Sequence, residues 1–240
     1  MIGLLIILII SWGLLYLIER KHIDAIGIIP SRNRLLQFII GLFFIQLIVL
    51  ISIFVESQVL SIEWRYNQDF KLNDVLNAFI YHLRSALTED LMYRGAILFI
   101  LIQRLGYKWA ILISALVFGV YHVFSYGMTN ERIVPILYVI LVTGFTGYVW
   151  AYAFYKTSSI WIGLGFHLGY NLLMSFFFES QPYGQLIFEQ VSRIEISEWN
   201  NLYLLLFKGL FPSVMTLIFL KMAFKYTPNL FSIKTDEKAL

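Results

Sequence analysis

Long apolar runs, broken by short polar clusters, make up most of the chain. Mostly apolar stretches recur at about 1–18, 35–55, 74–103, 109–126, 133–155, 159–178 and 201–222. A helix needs ~20 such residues to cross ~30 Å of hydrocarbon. Backbone N–H and C=O groups in lipid must be satisfied within their own segment, so these runs predict α-helices. The alternating ~10-residue strands of a membrane barrel are missing. The pattern therefore predicts an all-α fold, a polytopic transmembrane helical bundle of about seven spans. An eighth arises if a short or re-entrant helix lies near 56–73 or 181–195. The run at 74–103 is longer than one span needs and carries His82, Arg84, Glu89, Asp90 and Arg94. It reads as a tilted long helix, or as an amphipathic lead-in followed by a span. No internal repeat or low-complexity linker divides residues 1–240, which read as a single integral membrane domain. The tail from about Tyr226, with Pro228, Lys234, Asp236, Glu237 and Lys238, reads as exposed and frayed.

Composition agrees with this pattern and narrows the function. Of 240 residues, 59% are hydrophobic and 14% charged, and the mean hydropathy is +0.74. Soluble domains carry about 25% charged residues, and a globule this apolar could not keep its surface wet. The net charge of +3 is spread between apolar segments, with no basic stripe for nucleic acid. There is no cysteine, which excludes disulfides and thiolate metal sites. Residues 1–18 lack a positive leader and a small-residue cleavage site; Arg20 and Lys21 follow the apolar run. The segment reads as a first transmembrane helix, not a cleaved signal.

Charge also orients the bundle. If residues 19–34, with Arg20, Lys21, Arg32 and Arg34, are cytoplasmic, alternation puts Arg104, Lys108, Lys156, Lys221, Lys225, Lys234 and Lys238 on the same side. The other side holds Arg65, Lys71, Arg132 and Arg193. The positive-inside rule then predicts an N-terminus outside and a C-terminus in the cytoplasm, in a cell membrane of bacterial type.

Against this apolar background the segment TEDLMYRG, residues 88–95, places three charges within six residues. Ionisable groups at bilayer depth cost roughly 2.5 to 3.5 kcal/mol each. Asp90 and Arg94 are i,i+4 and can pair on one helix, but Glu89 points about 100° away. In the next span Phe118 and His122 are i,i+4. In a later one His167 and Asn171 are i,i+4, beside Gly163, Gly165 and Gly169, small residues that let helices approach. Each group alone has a plain structural explanation: a charge knot, a packed histidine, an interhelical hydrogen bond. Together, three spans supply a carboxylate, two imidazoles and an amide. If their faces converge they make a polar cavity that can deprotonate water, deliver protons and stabilise an oxyanion.

The sequence resembles the CPBP intramembrane protease family, which includes the type II CaaX prenyl endopeptidases and the Abi-like bacteriocin self-immunity proteins. The family's Glu-Glu-x-x-x-Arg motif is matched by Glu89-Asp90-Leu91-Met92-Tyr93-Arg94 with the trailing Gly95. Phe-x-x-x-His is matched by Phe118 to His122, and His-x-x-x-Asn by His167 to Asn171. The stretch TGFTGYVWAYAFYKTSSIWIGLGFH is similar in its Gly-rich helix, short polar turn and Trp before the last motif. The resemblance covers roughly 74–178, which would be the catalytic core. Residues 1–73 and the span 201–222 would be accessory.

The resemblance implies an endopeptidase acting on a membrane-embedded or lipidated peptide or protein. Glu89 and His122 would activate water, and His167 and Asn171 would hold the oxyanion. Arg94 would support the acidic pair, and Phe118 would pack beside the site. One departure is Asp90 where the family has Glu, one methylene shorter. Glu89, His122 and His167 are also the ligand types of catalytic zinc sites. There is no His-Glu-x-x-His run, and a carboxylate and an imidazole can act on water directly. The preferred reading has no tightly bound metal, with zinc as the alternative. From another class, a proton-coupled transporter or a regulatory or immunity pseudoenzyme could keep the same cluster. His82 and Arg84 read as a solvated or interfacial face, His22 as surface, and the six tryptophans mostly as interfacial anchors.

Overall fold

The computed structural model describes residues 2–227; the tail residues Pro228, Lys234, Asp236, Glu237 and Lys238 lie outside them. Helix α1 (Ile2–Leu14) continues as a π-helical turn (Leu15–Glu19), and a 3₁₀ turn at Ile23–Ile26 follows. Then come α2 (Arg32–Leu60), β1 (Glu63–Tyr66), α3 (Leu72–Arg94), α4 (Ala96–Leu105), α5 (Tyr107–Ser125), α6 (Ile133–Thr157), α7 (Trp161–Phe177), β2 (Phe188–Ser192) and α8 (Glu198–Tyr226). Among the described residues, five helical segments are long and apolar enough to cross a membrane alone: Ile2–Glu19, Arg32–Leu60, Tyr107–Ser125, Ile133–Thr157 and Glu198–Tyr226. The molecule is an all-α polytopic bundle with one small β-ladder. Large apolar side chains such as Phe43, Phe54, Leu116 and Val134 stay exposed around it, as a lipid-facing surface requires.

Two of the regions differ from the hydropathy pattern. The run 74–103 is not one helix. It breaks at Gly95, whose backbone sits at φ −93°, ψ −131°. A Cβ there would lie 2.2 Å from the carbonyl oxygen of Leu91, so only glycine fits. The break frees the carbonyl of Tyr93, which accepts a 2.8 Å hydrogen bond from Ser114 Oγ on α5. Beyond Leu60, the segments 56–73 and 181–195 hold no further helix. They contribute β1 and β2, paired antiparallel with Arg65 opposite Glu189 and Tyr66 opposite Phe188. The strands cap one end of the bundle.

Close packing of α7 on α2 fixes the centre. A Cβ on Gly165 would sit 2.3 Å from the carbonyl oxygen of Phe38, so the two backbones touch where the sequence offers small residues. One apolar cluster, with Ile45, Val49, Trp150, Phe166 and Leu220, fills the space between α2, α6, α7 and α8. A second, with Leu15, Leu91, Leu98, Ile111 and Phe154, fills the opposite end. The polar residues of α3, α5 and α7 lie between them.

Candidate active site

Helix α3 turns Glu89 toward His122 and Asp90 toward Arg94, in keeping with their 100° offset, and the two carboxylates meet opposite ring nitrogens of His167. Asp90 and Arg94 are 1% and 2% exposed, and Arg94 Nη1 lies 2.5 Å from Asp90 Oδ1. The guanidinium packs into the corner between two rings, 4.0 Å from the centroid of Phe118 and 4.9 Å from that of Trp150. Such cation–π contact offsets part of the lost hydration. Glu89 faces the cavity, with Ser85 Oγ, one turn earlier, donating to its Oε1 at 3.4 Å. Its Oε2 is buried and has no hydrogen-bond partner among the described residues.

Two imidazoles converge on that orphaned oxygen. His122 Nε2 is 3.9 Å and His167 Nε2 3.8 Å from Glu89 Oε2. His122 Nδ1 is 2.8 Å from the carbonyl of Phe118, one turn back on α5. A carbonyl only accepts, so Nδ1 carries the proton, and Nε2 of the neutral ring is a bare lone pair aimed into the cavity. His167 Nδ1 lies 3.4 Å from Asp90 Oδ1, and its ring packs on Trp150 at 4.5 Å between centroids. Asn171, one turn beyond His167, lines the same space. The structure thus brings together Glu89, His122, His167 and Asn171 from three helices. Asp90, Arg94 and Phe118 stand immediately behind them.

The groups sit at the junction of two cavities. A polar vestibule of about 540 Å³ is lined by His82, Ser85, Glu89, Ser125, Tyr126 and the loop residues Ser180–Pro182. A more apolar chamber shares His122, Tyr126, His167 and Asn171, and runs between α6 and α8 past Tyr138, Val142, Thr146 and Ser213.

Two side chains depart from their expected places, and a third joins the site without a signal in the sequence. His82 is not on a solvated face. It is buried, and its Nε2 donates to the carbonyl of Pro182 at 3.2 Å, pinning the loop that roofs the vestibule. Seven residues before Glu89, it shares that residue's helical face, a spacing visible in the sequence. Trp150 is buried beneath His167 and is no interfacial anchor. Tyr126, which no motif or spacing marks, stands with its ring 5.2 Å from that of His122. Arg84 and His22 are exposed as expected.

Glu89, His122 and His167 have the ligand types of a catalytic zinc site. A tetrahedral site with ligand bonds near 2.1 Å holds neighbouring donor atoms about 3.4 Å apart. The separations from Glu89 Oε2 here are 3.9 and 3.8 Å, somewhat wider, and the three side chains are not drawn together as a ready-made ligand set among the described residues.

Residues 71–173 match the family model described as type II CAAX prenyl endopeptidase Rce1-like. The matched stretch contains every residue of the cluster, from Glu89 to Asn171. No curated protein and no solved structure matches the chain.

Proposed function

The chain belongs to the CPBP intramembrane protease family through its Rce1-like segment, and from that premise we propose that Glu89, His122, His167 and Asn171 hydrolyse a peptide bond by direct attack of water. At family level the protein is an integral membrane protease that acts on membrane-associated peptides. The observation that carries the finer reading is the convergence of His122 Nε2 and His167 Nε2 on the unpartnered Oε2 of Glu89. A water lying against Glu89 Oε2 and His122 Nε2 can donate one hydrogen to each.

Glu89 takes a proton as the water oxygen bonds to the scissile carbonyl carbon. The carbonyl oxygen becomes an oxyanion, and the Asn171 amide and the Nε2–H of doubly protonated His167 donate to it. Asp90 holds His167 through Nδ1–H, and Arg94 holds Asp90. When the C–N bond breaks, the proton on Glu89 passes to the leaving amine, giving an acid and an amine with the base restored. The vestibule admits the polar peptide, and the chamber between α6 and α8 accommodates an apolar or lipid-bearing part.

The test is Glu89→Gln, purified and reconstituted with a membrane-anchored reporter peptide. Removing the general base is expected to lower cleavage by about 10²- to 10⁴-fold at an unchanged melting temperature. Undiminished cleavage would exclude Glu89 as the base.

A further inference from the structure

We infer that the vestibule opens to the non-cytoplasmic face of the membrane, so that the enzyme takes membrane-anchored peptides whose cleaved bond emerges on that face. The substrate half of this statement rests on the proposed proteolysis; the facing of the site does not.

The structure sorts the connections between helices into two ends. At the vestibule end, β1 pairs with β2, Asn67 Nδ2 donates to the carbonyl of Gln185 at 2.9 Å, and His82 holds Pro182. Ser125 and Tyr126 line the same cavity as Ser180. Segments 61–71, 126–132 and 178–197 therefore share that end. At the other, Arg104 pairs with Glu19 at 2.9 Å, and Trp161 Nε1 donates to the carbonyl of Ile28 at 3.2 Å. Tyr107 stacks on Tyr155, and Lys156 approaches the ring of Phe224. That end gathers 15–34, 104–108, 156–160 and the foot of α8.

The two ends differ in charge. Arg65, Lys71, Arg132 and Arg193 are the cations at the vestibule end, and Arg65 is matched by Glu189 at 2.9 Å. The same end is rich in carboxylates, with Glu63, Asp69, Glu131, Glu179 and Glu195 besides Glu189. The far end carries cations in each of its segments, from Arg20 and Lys21 to Lys221 and Lys225, against Glu19 and Asp24. Cations in short loops favour the side of the anionic cytoplasmic leaflet. The far end is the cytoplasmic one. Glu89 and the two imidazoles are then reached through the opposite face, beneath the roof formed by Ser180–Pro182. A cytosolic C-terminal peptide would meet the wrong end of the bundle.

The chain has no cysteine, so every introduced thiol is unique. Gln68→Cys and Asn130→Cys mark the vestibule end, and Asn33→Cys marks the far end; all three positions are exposed and none lines the vestibule or the chamber. Bacterial cells expressing each full-length variant are treated with a membrane-impermeant maleimide, before and after permeabilisation. The expected result is labelling of Gln68→Cys and Asn130→Cys in intact cells, with Asn33→Cys reacting only after permeabilisation. The reverse pattern, or equal labelling at both ends, would overturn the inference. A second arm adds the anchored reporter peptide to right-side-out and inverted vesicles, and cleavage is expected from the right-side-out face. Outward labelling with no cleavage in either orientation refutes the proteolysis and leaves the facing intact. Cleavage confined to inverted vesicles refutes the facing and leaves the proteolysis intact.

Discussion

Asp90–Arg94 and Glu56–Lys208 are both carboxylate–cation pairs inside the helical bundle, yet they are made differently. The first joins two residues one turn apart on α3 and is shut away from solvent, with the rings of Phe118 and Trp150 against the guanidinium. The second ties the end of α2 to α8, residues far apart in sequence, with Glu56 7% and Lys208 26% exposed. Asp90 also touches His167, so its pair sits directly behind the proposed oxyanion donor. Lys208 touches the ring of Phe178, and its pair fastens α8 alongside the apolar chamber. The same electrostatic attraction thus orients a reactive group in one place and attaches a helix in the other. Partner removal should tell the two apart, because an abandoned charge is most costly where water is least able to reach it.

Arg94→Met is the severest way to break this contrast. It strands Asp90 in the interior, and removing one partner of a buried pair costs about 3–5 kcal/mol. A large drop in melting temperature and loss of cleavage are expected together. The double variant Asp90→Asn, Arg94→Met should recover most of the melting temperature but not the cleavage. A single variant that melts like wild type would mean the pair is not enclosed as described. Asn171→Ala tests the first region without disturbing either pair. Loss of one oxyanion donor should lower kcat by about 10²- to 10³-fold, with little change in KM or melting temperature. In the second region Lys208→Met should cost about 1–3 kcal/mol, the penalty of an unsatisfied buried partner. Cleavage per folded molecule should persist, and Glu56→Gln in the same chain should restore stability. If Lys208→Met instead abolished cleavage in a fully stable protein, the division of labour would be wrong. The mildest change is Asp90→Glu. The added methylene extends the reach toward His167 Nδ1, now at 3.4 Å. A shorter contact should raise cleavage by up to about fivefold, the ~1 kcal/mol of a typical hydrogen bond.

How much of this the sequence discloses depends on whether the relevant contact is local. Asp90–Arg94, Phe118–His122 and His167–Asn171 are all i,i+4, so helical geometry alone puts each pair on one face, and the site could be assembled from three such faces. The helices themselves were visible as apolar runs. The Gly95 break is not, because hydropathy continues unchanged into Ala96, and only the folded backbone shows that Gly95 stands where a Cβ would collide with the carbonyl of Leu91. His82 looked solvated because its partner, the carbonyl of Pro182, lies a hundred residues on. Trp150 looked like an anchor because nothing near it in sequence shows that His167 will lie against its ring. Glu56 and Lys208 carry no spacing signal at all; only the packing of α2 against α8 brings them together.

The interruption at Gly95 reaches further than the helix it ends. By leaving the Tyr93 carbonyl open to Ser114, it works as a notch into which α5 seats a tooth. Ser114 stands two turns and a little before His122 on that helix. Sliding α5 by one residue would unseat the tooth and carry the imidazole away from the carboxylate together. The alignment of the two helices that bear the water-activating groups is thus set by a gap in hydrogen bonding several residues away from either group.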